Sequence, residues 1–348
     1  MHPRILVVRR DNIGDLVCTT PLLHCLRESF PDAFIGVLAN SYNASILDGN
    51  PDVDAVYVYG KGKHQPGWRA RLHALAVRIG LILRLRRSGF DWAILAKSGF
   101  DRHGLRMARL AGARRIVGFA AAHAAPGLTD PLPPPDNERL HEVEAIAGLL
   151  QPLGVDTRAG PLQVYPDPDL QAAARARLTV AGANRRWIAL HISARESGRR
   201  WPAEKFTALI EQLENSTTGI ALFWSPGAEE HRTHPGDDGK AGTILAACGG
   251  RCVVPFPTAT LPELTAALGC CNLFIGADGG AMHLAAATGL PVVALFENIG
   301  HKKHHWYPWQ VPHRLVFAST QDVAGITVNA VAEATTTLLH VTEARTSD

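Results

Sequence analysis

The chain lacks the features that mark several protein classes. No apolar run approaches the roughly 20 residues that a membrane-spanning helix needs, so no span is expected. Charged residues make up only 19% of the 348 residues and hydrophobic residues 46%, which excludes a disordered chain. No signal-peptide hydrophobic segment precedes the strand-like run at residues 4–8. We therefore expect a globular, cytoplasmic protein, and its length suits two α/β domains.

Cysteine is scarce and is not arranged for metal binding. The chain has six cysteines, and no two of them form a C-x-x-C pair. A zinc site would need paired short spacings with Cys or His partners, so we predict reduced thiols and no metal. The dinucleotide-binding pattern G-x-G-x-x-G is also missing from the first turn, which disfavours a two-domain oxidoreductase.

Acidic residues are missing from one long segment. Between Gly60 and Phe90 there are eight Lys or Arg residues and no Asp or Glu. Apolar residues recur with a helical period over 68–87. Such a helix has either a solvated basic face within a domain or a surface that contacts an anionic membrane or acceptor. A nucleic-acid partner is not expected, because neither a known module nor aromatic interleaving accompanies the charges.

Strand-like and helix-like runs alternate along both halves of the chain, which predicts parallel, doubly wound sheets. The predicted strands are 4–9, 34–38, 55–59, 92–96, 115–118, 187–191, 219–224, 252–255, 272–276, 291–296 and 315–317. The predicted helices are 15–29, 42–48, 68–87, 102–111, 137–151, 170–181, 202–214, 237–247, 261–269, 282–288 and 327–340. Prolines between Pro126 and Asp136 predict a loop. We place the domains at 1–160 and 161–348, with the last helix a candidate for packing back on the first domain.

The stretch Asp278–Leu284 is the most informative part of the sequence. It follows an apolar run and opens a run of small residues, which predicts a strand, a Gly-rich turn and a helix start. Free backbone N–H groups at the positive end of a helix suit a phosphate or diphosphate. A purely structural turn is the alternative.

The first predicted strand ends in a second polar motif, residues 9–15. Asp15 stands at the start of a helix and is either an N-cap residue or a general base. Asp11 allows the same two interpretations.

Three loops after predicted strands of the second half carry further polar or aromatic residues. Ser193, Arg199 and Arg200 could hold a diphosphate, or lie in an exposed basic loop. Trp224 could stack on a ring and Glu229 accept bonds from sugar hydroxyls. Alternatively, Trp224 belongs to the core and Glu229 is a charge at a helix N-terminus. A purine base could lie against Phe256.

Four motifs in order resemble the ADP-heptose:lipopolysaccharide heptosyltransferases, glycosyltransferase family 9. They are Asn12-Ile13-Gly14-Asp15 with Thr19-Thr20-Pro21, then Asn50-Pro51-Asp52-Val53-Asp54, then Arg200-Trp201-Pro202-Ala203-Glu204-Lys205-Phe206, and Asp278-Gly279-Gly280-Ala281-Met282-His283-Leu284-Ala285-Ala286-Ala287. The resemblance covers most of the chain, and the number and spacing of the motifs make it specific.

The resemblance implies an α/β protein of the GT-B fold, with two Rossmann-like, doubly wound domains facing a central cleft. It implies inverting, metal-independent transfer from an ADP-sugar without a cofactor, with the acceptor on the first domain and the donor on the second. Asp15 matches the family's catalytic base, Arg199 a Lys at the diphosphate, and Glu229 the acid at the nucleotide ribose. The expected acceptor is a lipopolysaccharide inner-core glycolipid, and peripheral contact with the inner membrane is a further hypothesis.

The predicted site residues form three sets. The catalytic residues are Asp15 and Arg199. The donor-binding residues are Ser193, Arg200, Trp224, Glu229, Phe256, Asp278, Gly279, Gly280, Ala281, Met282 and His283. The acceptor-binding residues are Asp11, Asn12, Thr19, Arg69 and Arg102.

Two departures from the family pattern leave the donor open. Gly279 replaces a usual Ser or Thr, and Arg199 replaces a Lys. A family member with another nucleotide sugar or acceptor therefore stays an alternative, as does a non-catalytic nucleotide-sugar-binding protein. The His-rich segment 300–309 allows three interpretations, namely a solvated loop, a cationic loop over the donor phosphates and a metal-binding loop.

Overall fold

The chain forms two compact units, Met1–Tyr165 and Pro166–Asp348. The computed structural model describes residues 2–60, 68–121, 127–229 and 236–346, with the backbone alone for 68–71 and 342–346. The boundary between the units follows Tyr165, whereas the sequence pattern places it after residue 160. Within the described ranges, no helix combines the length and apolar character that crossing a bilayer demands.

The first unit is built on a six-stranded parallel sheet. Its elements are β1 (Arg4–Val8), α1 (Ile13–Val17), α2 (Thr20–Ser29), β2 (Phe34–Asn40), a 3₁₀ turn (Ala44–Leu47), β3 (Ala55–Tyr59), α3 (Trp68–Ser88), β4 (Trp92–Leu95), α4 (Arg102–Ala111), β5 (Arg115–Phe119), β6 (Asp130–Leu132), α5 (Glu142–Ala147) and a second 3₁₀ turn (Gly148–Leu153). The strand order is β3-β2-β1-β4-β5-β6. Residues 5–8 of β1 are fully buried, as expected for a central strand covered on both faces.

Three predictions for this unit are corrected. The predicted loop 126–136 contains β6, which pairs with β5 at the edge of the sheet, where Pro131 is tolerated because an edge strand needs fewer donors. The predicted helix 15–29 is two helices, and Pro21 lies in the first turn of the second. The predicted helix 137–151 begins only at Glu142, after the N-cap residue His141.

The second unit repeats this architecture. Its elements are α6 (Pro168–Gly182), β7 (Arg186–His191), a 3₁₀ turn (Ser197–Arg199), α7 (Ala203–Leu213), β8 (Thr218–Trp224), α8 (Asp238–Ala247), β9 (Val253–Pro257), α9 (Leu261–Leu268), β10 (Leu273–Ala277), α10 (Gly280–Ala287), β11 (Val292–Phe296), α11 (Lys302–His305), β12 (His313–Phe317), another 3₁₀ turn (Val323–Gly325) and α12 (Val328–Thr346). The sheet is parallel, in the order β12-β11-β10-β7-β8-β9. The last helix, α12, packs on α7 and β12 of its own unit.

Trp201 anchors the core of the second unit. Its ring is fully buried, lies edge-on to Phe206 at 4.9 Å between centroids, and donates from Nε1 to the carbonyl of Ile326 at 3.0 Å. The residue ends the loop that follows β7. The core therefore fixes the C-terminal end of that loop.

Each sheet has a point where the strand order reverses. In the first sheet this point lies between β1 and β4, and in the second between β7 and β10. Loops after strands that flank such a point diverge and leave a crevice, which is where open parallel α/β sheets bind ligands. The predicted polar motifs follow β1, β7 and β10.

Candidate active site

Asp15 is held from two sides at the start of α1. Its Oδ2 accepts a hydrogen bond from the backbone N–H of Asn12 at 2.7 Å, which closes a capping box at the helix N-terminus. Its Oδ1 accepts from Nη2 of Arg9 at 2.6 Å. Asp15 therefore caps the helix, and its carboxylate is fixed next to the loops at the switch point of the first sheet.

Arg9 lies in the interior, with only 2% of the residue exposed. Its Nη1 lies 2.7 Å from Oε1 of Glu142, which is 1% exposed, and the guanidinium also donates to the carbonyl of Ala96. Burial alone would lower the pKa of Arg9. The carboxylates of Glu142, Asp15 and Asp11 outweigh it and hold that pKa above its ordinary value. Arg9 is thus a permanent buried cation between two carboxylates.

Sequence reasoning missed Arg9 and Glu142 as site residues. Arg9 ends the first predicted strand, and this position at a strand end could have identified it as a candidate site residue. Glu142 starts a helix far along the chain, with no local pattern that connects it to residue 9.

The other predicted acceptor residues differ in accessibility. Asp11 is partly exposed and lies 3.9 Å from both Arg9 Nε and Lys97 Nζ. Thr19 is fully buried and donates to the Asp15 carbonyl at 2.8 Å, so its hydroxyl serves the helix. Arg102 is exposed at the start of α4. The side chain of Arg69 lies outside the described residues.

The Gly-rich turn after β10 has the predicted form. Gly279 is the extended N-cap residue, with φ 164° and ψ −173°, and α10 begins at Gly280. The first N–H groups of the helix, from Gly280 to Met282, have no acceptor within the helix. Ala281 is half-buried, and Met282 and His283 are buried, with the imidazole edge-on to Trp306 at 5.9 Å. The turn therefore presents backbone donors, and its larger side chains serve the core.

Arg199 connects this turn to the end of β11. It donates from Nη1 to the Asp278 carbonyl at 3.0 Å, and its Nη2 lies 3.4 Å from Oδ2 of that residue. It also donates from Nε to Glu297 Oε2 at 2.8 Å, and Lys302 pairs with the same carboxylate. Burial acts to raise the pKa of Glu297, but Lys302 and Arg199 lower it overall. Two cations and two carboxylates thus lie beside the N-terminus of α10.

Glu297 and Lys302 were not predicted as site residues. Glu297 directly follows a buried strand, which is the same signal that identified the other loops. Lys302 lies in the His-rich segment that the sequence left open.

Arg200 and Ser193 join the loops after β7 and β8. Arg200 Nη1 lies 2.5 Å from Glu229 Oε1, and its Nε donates to the Ala194 carbonyl at 3.0 Å. The Ser193 hydroxyl accepts from the backbone N–H of Ser225 at 2.9 Å. These contacts bring three predicted donor residues together.

Two predicted ring-stacking residues lie in the interior. Trp224 is buried and donates from Nε1 to Asp238 at 2.7 Å. Phe256 is buried and stacks on Phe223, with centroids 5.0 Å apart and planes 15° apart. In this structure both rings pack within the second unit, so the core interpretation of Trp224 is the one observed, and Phe256 likewise packs against other side chains.

Lys240 fixes the ends of the loop that carries Arg199 and Arg200. Its ammonium donates to the carbonyls of Ile192 at 3.0 Å and Trp201 at 2.7 Å. Burial lowers the pKa of Lys240 to about 8. Burial, followed by the charge of Lys240, lowers the pKa of His191 to about 4, so this imidazole is neutral at neutral pH.

The His-rich segment is partly ordered as α11. His305 is buried and edge-on to Trp306 at 4.9 Å, whereas His301 and His304 are exposed. Among the residues that the structure describes, no three His, Cys, Asp or Glu side chains are grouped so that they could hold a metal ion.

Comparison with known proteins identifies relatives over most of the chain. The profile of glycosyltransferase family 9 (heptosyltransferase) matches residues 78–327. Lipopolysaccharide heptosyltransferase 3 of Escherichia coli K12 is 26% identical over 309 residues, which cover 85% of this chain and 82% of that protein.

Two solved structures share the fold. A family 9 glycosyl transferase from Veillonella parvula superposes with a TM-score of 0.83 and 21% identity, over 97% of both chains. The ADP-heptose lps heptosyltransferase II of Escherichia coli superposes with a TM-score of 0.75 and 20% identity, over 98% of this chain and 99% of that one. With two parallel six-stranded sheets and flanking helices, the predicted α/β fold of the GT-B class is confirmed.

Proposed function

This chain belongs to glycosyltransferase family 9 and is a glycosyltransferase, and we propose that it transfers a heptose from ADP-heptose to a lipopolysaccharide inner-core acceptor. Relatives named for lipopolysaccharide heptose transfer align with 85% of the chain, which supports this substrate pair. The donor binds the second unit and the acceptor binds the first.

The observation that carries the proposal is the charge arrangement at the start of α10. Arg199 and Lys302 lie beside the free N–H groups of that helix, and both cations are oriented by Glu297. A leaving diphosphate gains negative charge as the glycosidic bond breaks, and preorganised donors stabilise such charge most strongly. The Asp278 carboxylate, which only accepts hydrogen bonds, suits the hydroxyl groups of the transferred sugar.

Arg200 and Glu229 provide the next contact along the donor. Their side chains form one ion pair, which holds the Glu229 carboxylate in place although it is largely exposed. A carboxylate in this position accepts hydrogen bonds from the two ribose hydroxyls of the nucleotide. This assignment agrees with the role that the family resemblance implies for Glu229.

Asp15 acts as the general base of a single displacement. The acceptor hydroxyl attacks the anomeric carbon, a new C–O bond forms as the bond to the diphosphate breaks, and the hydroxyl proton passes to Asp15. ADP leaves with the bonding electron pair, and the configuration at the anomeric carbon inverts. A carboxylate has about four lone pairs that can accept hydrogen bonds. The Asp15 carboxylate can therefore accept this proton while it also accepts hydrogen bonds from Arg9 and Asn12.

A donor screen with the purified chain tests the proposal. We expect calorimetry to show ADP binding tighter than UDP, GDP or NAD binding, and ADP-heptose to be consumed only when an inner-core acceptor is present. ADP release that requires the acceptor separates an enzyme from a nucleotide-sugar-binding protein. Tighter binding of UDP or GDP would instead support a family member with another donor.

Two further measurements test the mechanism. NMR of the product reports the anomeric configuration, and retention would contradict a single displacement. Turnover after exhaustive chelation reports the metal requirement. Activity that is lost on chelation and restored by a divalent cation would contradict metal-independent transfer.

A further inference from the structure

The helix α3 has two apolar faces, and among the described residues only one of them packs in the core of its own unit. Leu81 and Leu85 are buried and pack in the core of the first unit, with Ile82 beside them. A second set lies outside the core and is far more exposed. Its members are Leu72 at 54%, Leu75 at 53%, Ile79 at 48% and Leu83 at 44%.

The spacing of these four residues places them on a single stripe. Separations of three, four and four positions bring side chains to the same side of an α-helix. The stripe runs about 16 Å along the helix axis. Soluble proteins rarely leave a row of large aliphatic side chains in water unless it binds something.

The exposed charges on α3 and on the neighbouring helix α4 have one sign. Arg84 and Arg87 on α3 are exposed, and α4, which packs beside α3, exposes Arg102, Arg106 and Arg109. Over the described part of the chain, none of these five guanidinium groups forms a salt bridge. The first 160 residues hold 20 Lys and Arg against 15 Asp and Glu.

We propose that α3 is a docking surface for an anionic lipid bilayer, in whose interface the stripe Leu72, Leu75, Ile79 and Leu83 is buried. An interfacial helix combines apolar contact with electrostatic attraction of Lys and Arg to anionic headgroups. Arginine suits the boundary because its aliphatic stem lies along apolar surface while the guanidinium reaches the phosphates. The proposal does not depend on which sugar the enzyme transfers.

Charge decides between a lipid surface and a second copy of the chain. A helix pair between two copies would place these arginines near one another, and no acid on α3 could offset them, because residues 61–90 contain neither Asp nor Glu. An anionic bilayer supplies the missing negative charge. It also accepts an apolar stripe without a shaped groove.

Vesicle co-sedimentation tests the proposal with the full chain and no sugar substrate. We expect binding to vesicles of phosphatidylglycerol and phosphatidylethanolamine, and at least about tenfold weaker binding to phosphatidylcholine. Raising the salt concentration from 50 to 500 mM, about a tenfold change in ionic strength, should weaken the interaction. Salt-insensitive binding, or equal binding to both compositions, would overturn the electrostatic part of the proposal.

Matched variants separate the stripe from general surface effects. The double variant Leu75→Gln/Ile79→Gln should bind anionic vesicles at least about tenfold more weakly. Val180→Gln removes a 90%-exposed valine from a helix of the second unit and should bind like the wild type. Arg84→Gln/Arg87→Gln should lower the affinity and the salt dependence, whereas Arg139→Gln, at another exposed arginine, should change neither.

ADP binding by each variant shows that its second unit is intact, and the thermal transition reports the folding of the first. Failure of vesicle binding in folded protein would leave the proposed heptose transfer unaffected. Conversely, a chain that rejects ADP but still binds vesicles would refute the proposed function alone. A wild-type dimer that Leu75→Gln/Ile79→Gln converts to monomer, with unchanged vesicle binding, would assign the stripe to a second copy and overturn the proposal.

Discussion

The Arg9 guanidinium lies 2.6 Å from the Asp15 carboxylate and, through its other nitrogen, 2.7 Å from Glu142. One buried cation therefore fixes the direction of the carboxylate that we assign as general base. Charged pairs out of water are held stiffly, because moving either partner away leaves an uncompensated charge. Arg9 acts as a positioning residue, since it touches Asp15 and not the reacting atoms.

Replacement of Asp15 by Asn should remove the base with little change in the size of the side chain. We expect kcat to fall by about 10²–10⁴ with ADP affinity unchanged, because we propose that the donor binds the other unit. Initial rates and calorimetry measure the two effects. Asp167→Asn makes the same substitution at the aspartate that caps α6, where the amide oxygen can still accept from the helix N–H groups, so it controls for an Asp-to-Asn change at a helix start and should retain activity. Unchanged turnover in Asp15→Asn would remove this residue from the mechanism.

Loss of Glu142 should destabilise the protein more than an ordinary surface substitution. Glu142→Gln leaves the Arg9 charge without its strongest partner, and breaking a buried pair typically costs about 3–5 kcal/mol. Urea unfolding at neutral pH measures the difference. Glu144→Gln, at the exposed position two residues further along the same helix, should cost about 1 kcal/mol or less. Equal effects at both positions would contradict the buried pair.

Lys302 should contribute to donor affinity, in line with the interpretation of segment 300–309 as a cationic loop over the donor phosphates. It lies beside Arg199 and the start of α10, so Lys302→Gln removes one charge-assisted contact to the diphosphate. We expect ADP to bind about tenfold more weakly, since such hydrogen bonds contribute about 1.5–3 kcal/mol. Lys303→Gln, at the exposed neighbouring lysine, should bind ADP like the wild type. The same affinity in both variants would separate Lys302 from the donor site.

The sequence could predict the strands and the polar loops for a physical reason. Buried parallel strands are short apolar runs with little ambiguity, and ligand-binding residues follow their carboxyl ends. Asp15, Arg199 and Asp278 were predicted as site residues by this rule, and their roles stay predictions. The pairing of Arg9 with Glu142 could not be found, because it depends on tertiary packing between residues 133 positions apart. Trp224 and Phe256 also lie at the carboxyl ends of strands, but their rings are buried in the second unit. A single sequence does not show whether a side chain at such a position faces the ligand or the core.

His191 should make the protein less stable in mild acid. Its pKa is about 4 in the folded protein and about 6.5 when exposed, so the unfolded state binds more protons between these values. The free energy of unfolding should therefore fall as the pH drops through this window, by at most about 1.4 kcal/mol per pH unit. Urea titrations at several pH values measure the slope. His191→Gln should flatten it, whereas His103→Gln, at an exposed position on α4, should keep it.

Gly279 is the position at which the predicted donor site departs most clearly from the family pattern. The structure has space at this position for the Ser side chain that is usual in the family. The backbone there is extended, and a Cβ atom would lie no closer than 4.0 Å to a neighbouring atom, the carbonyl oxygen of Ala277. Gly279→Ser would therefore add a hydroxyl at the N-cap without strain. A hydrogen bond from it to a diphosphate oxygen should tighten ADP binding about tenfold.

Gly279→Ala isolates the hydroxyl, because it adds the same Cβ atom without a donor, and it should leave ADP affinity near the wild-type value. Gly276, three residues earlier, is the contrasting position, because it has no space for a side chain. A Cβ atom at Gly276 would lie 2.7 Å from the Phe274 ring, so Gly276→Ser should lower the unfolding free energy. If Gly279→Ser and Gly279→Ala bind ADP equally, the hydroxyl makes no contact with the diphosphate. In that case the backbone N–H groups alone bind the diphosphate at this turn. The replacement of the usual Ser or Thr by Gly279 then carries no information about the donor.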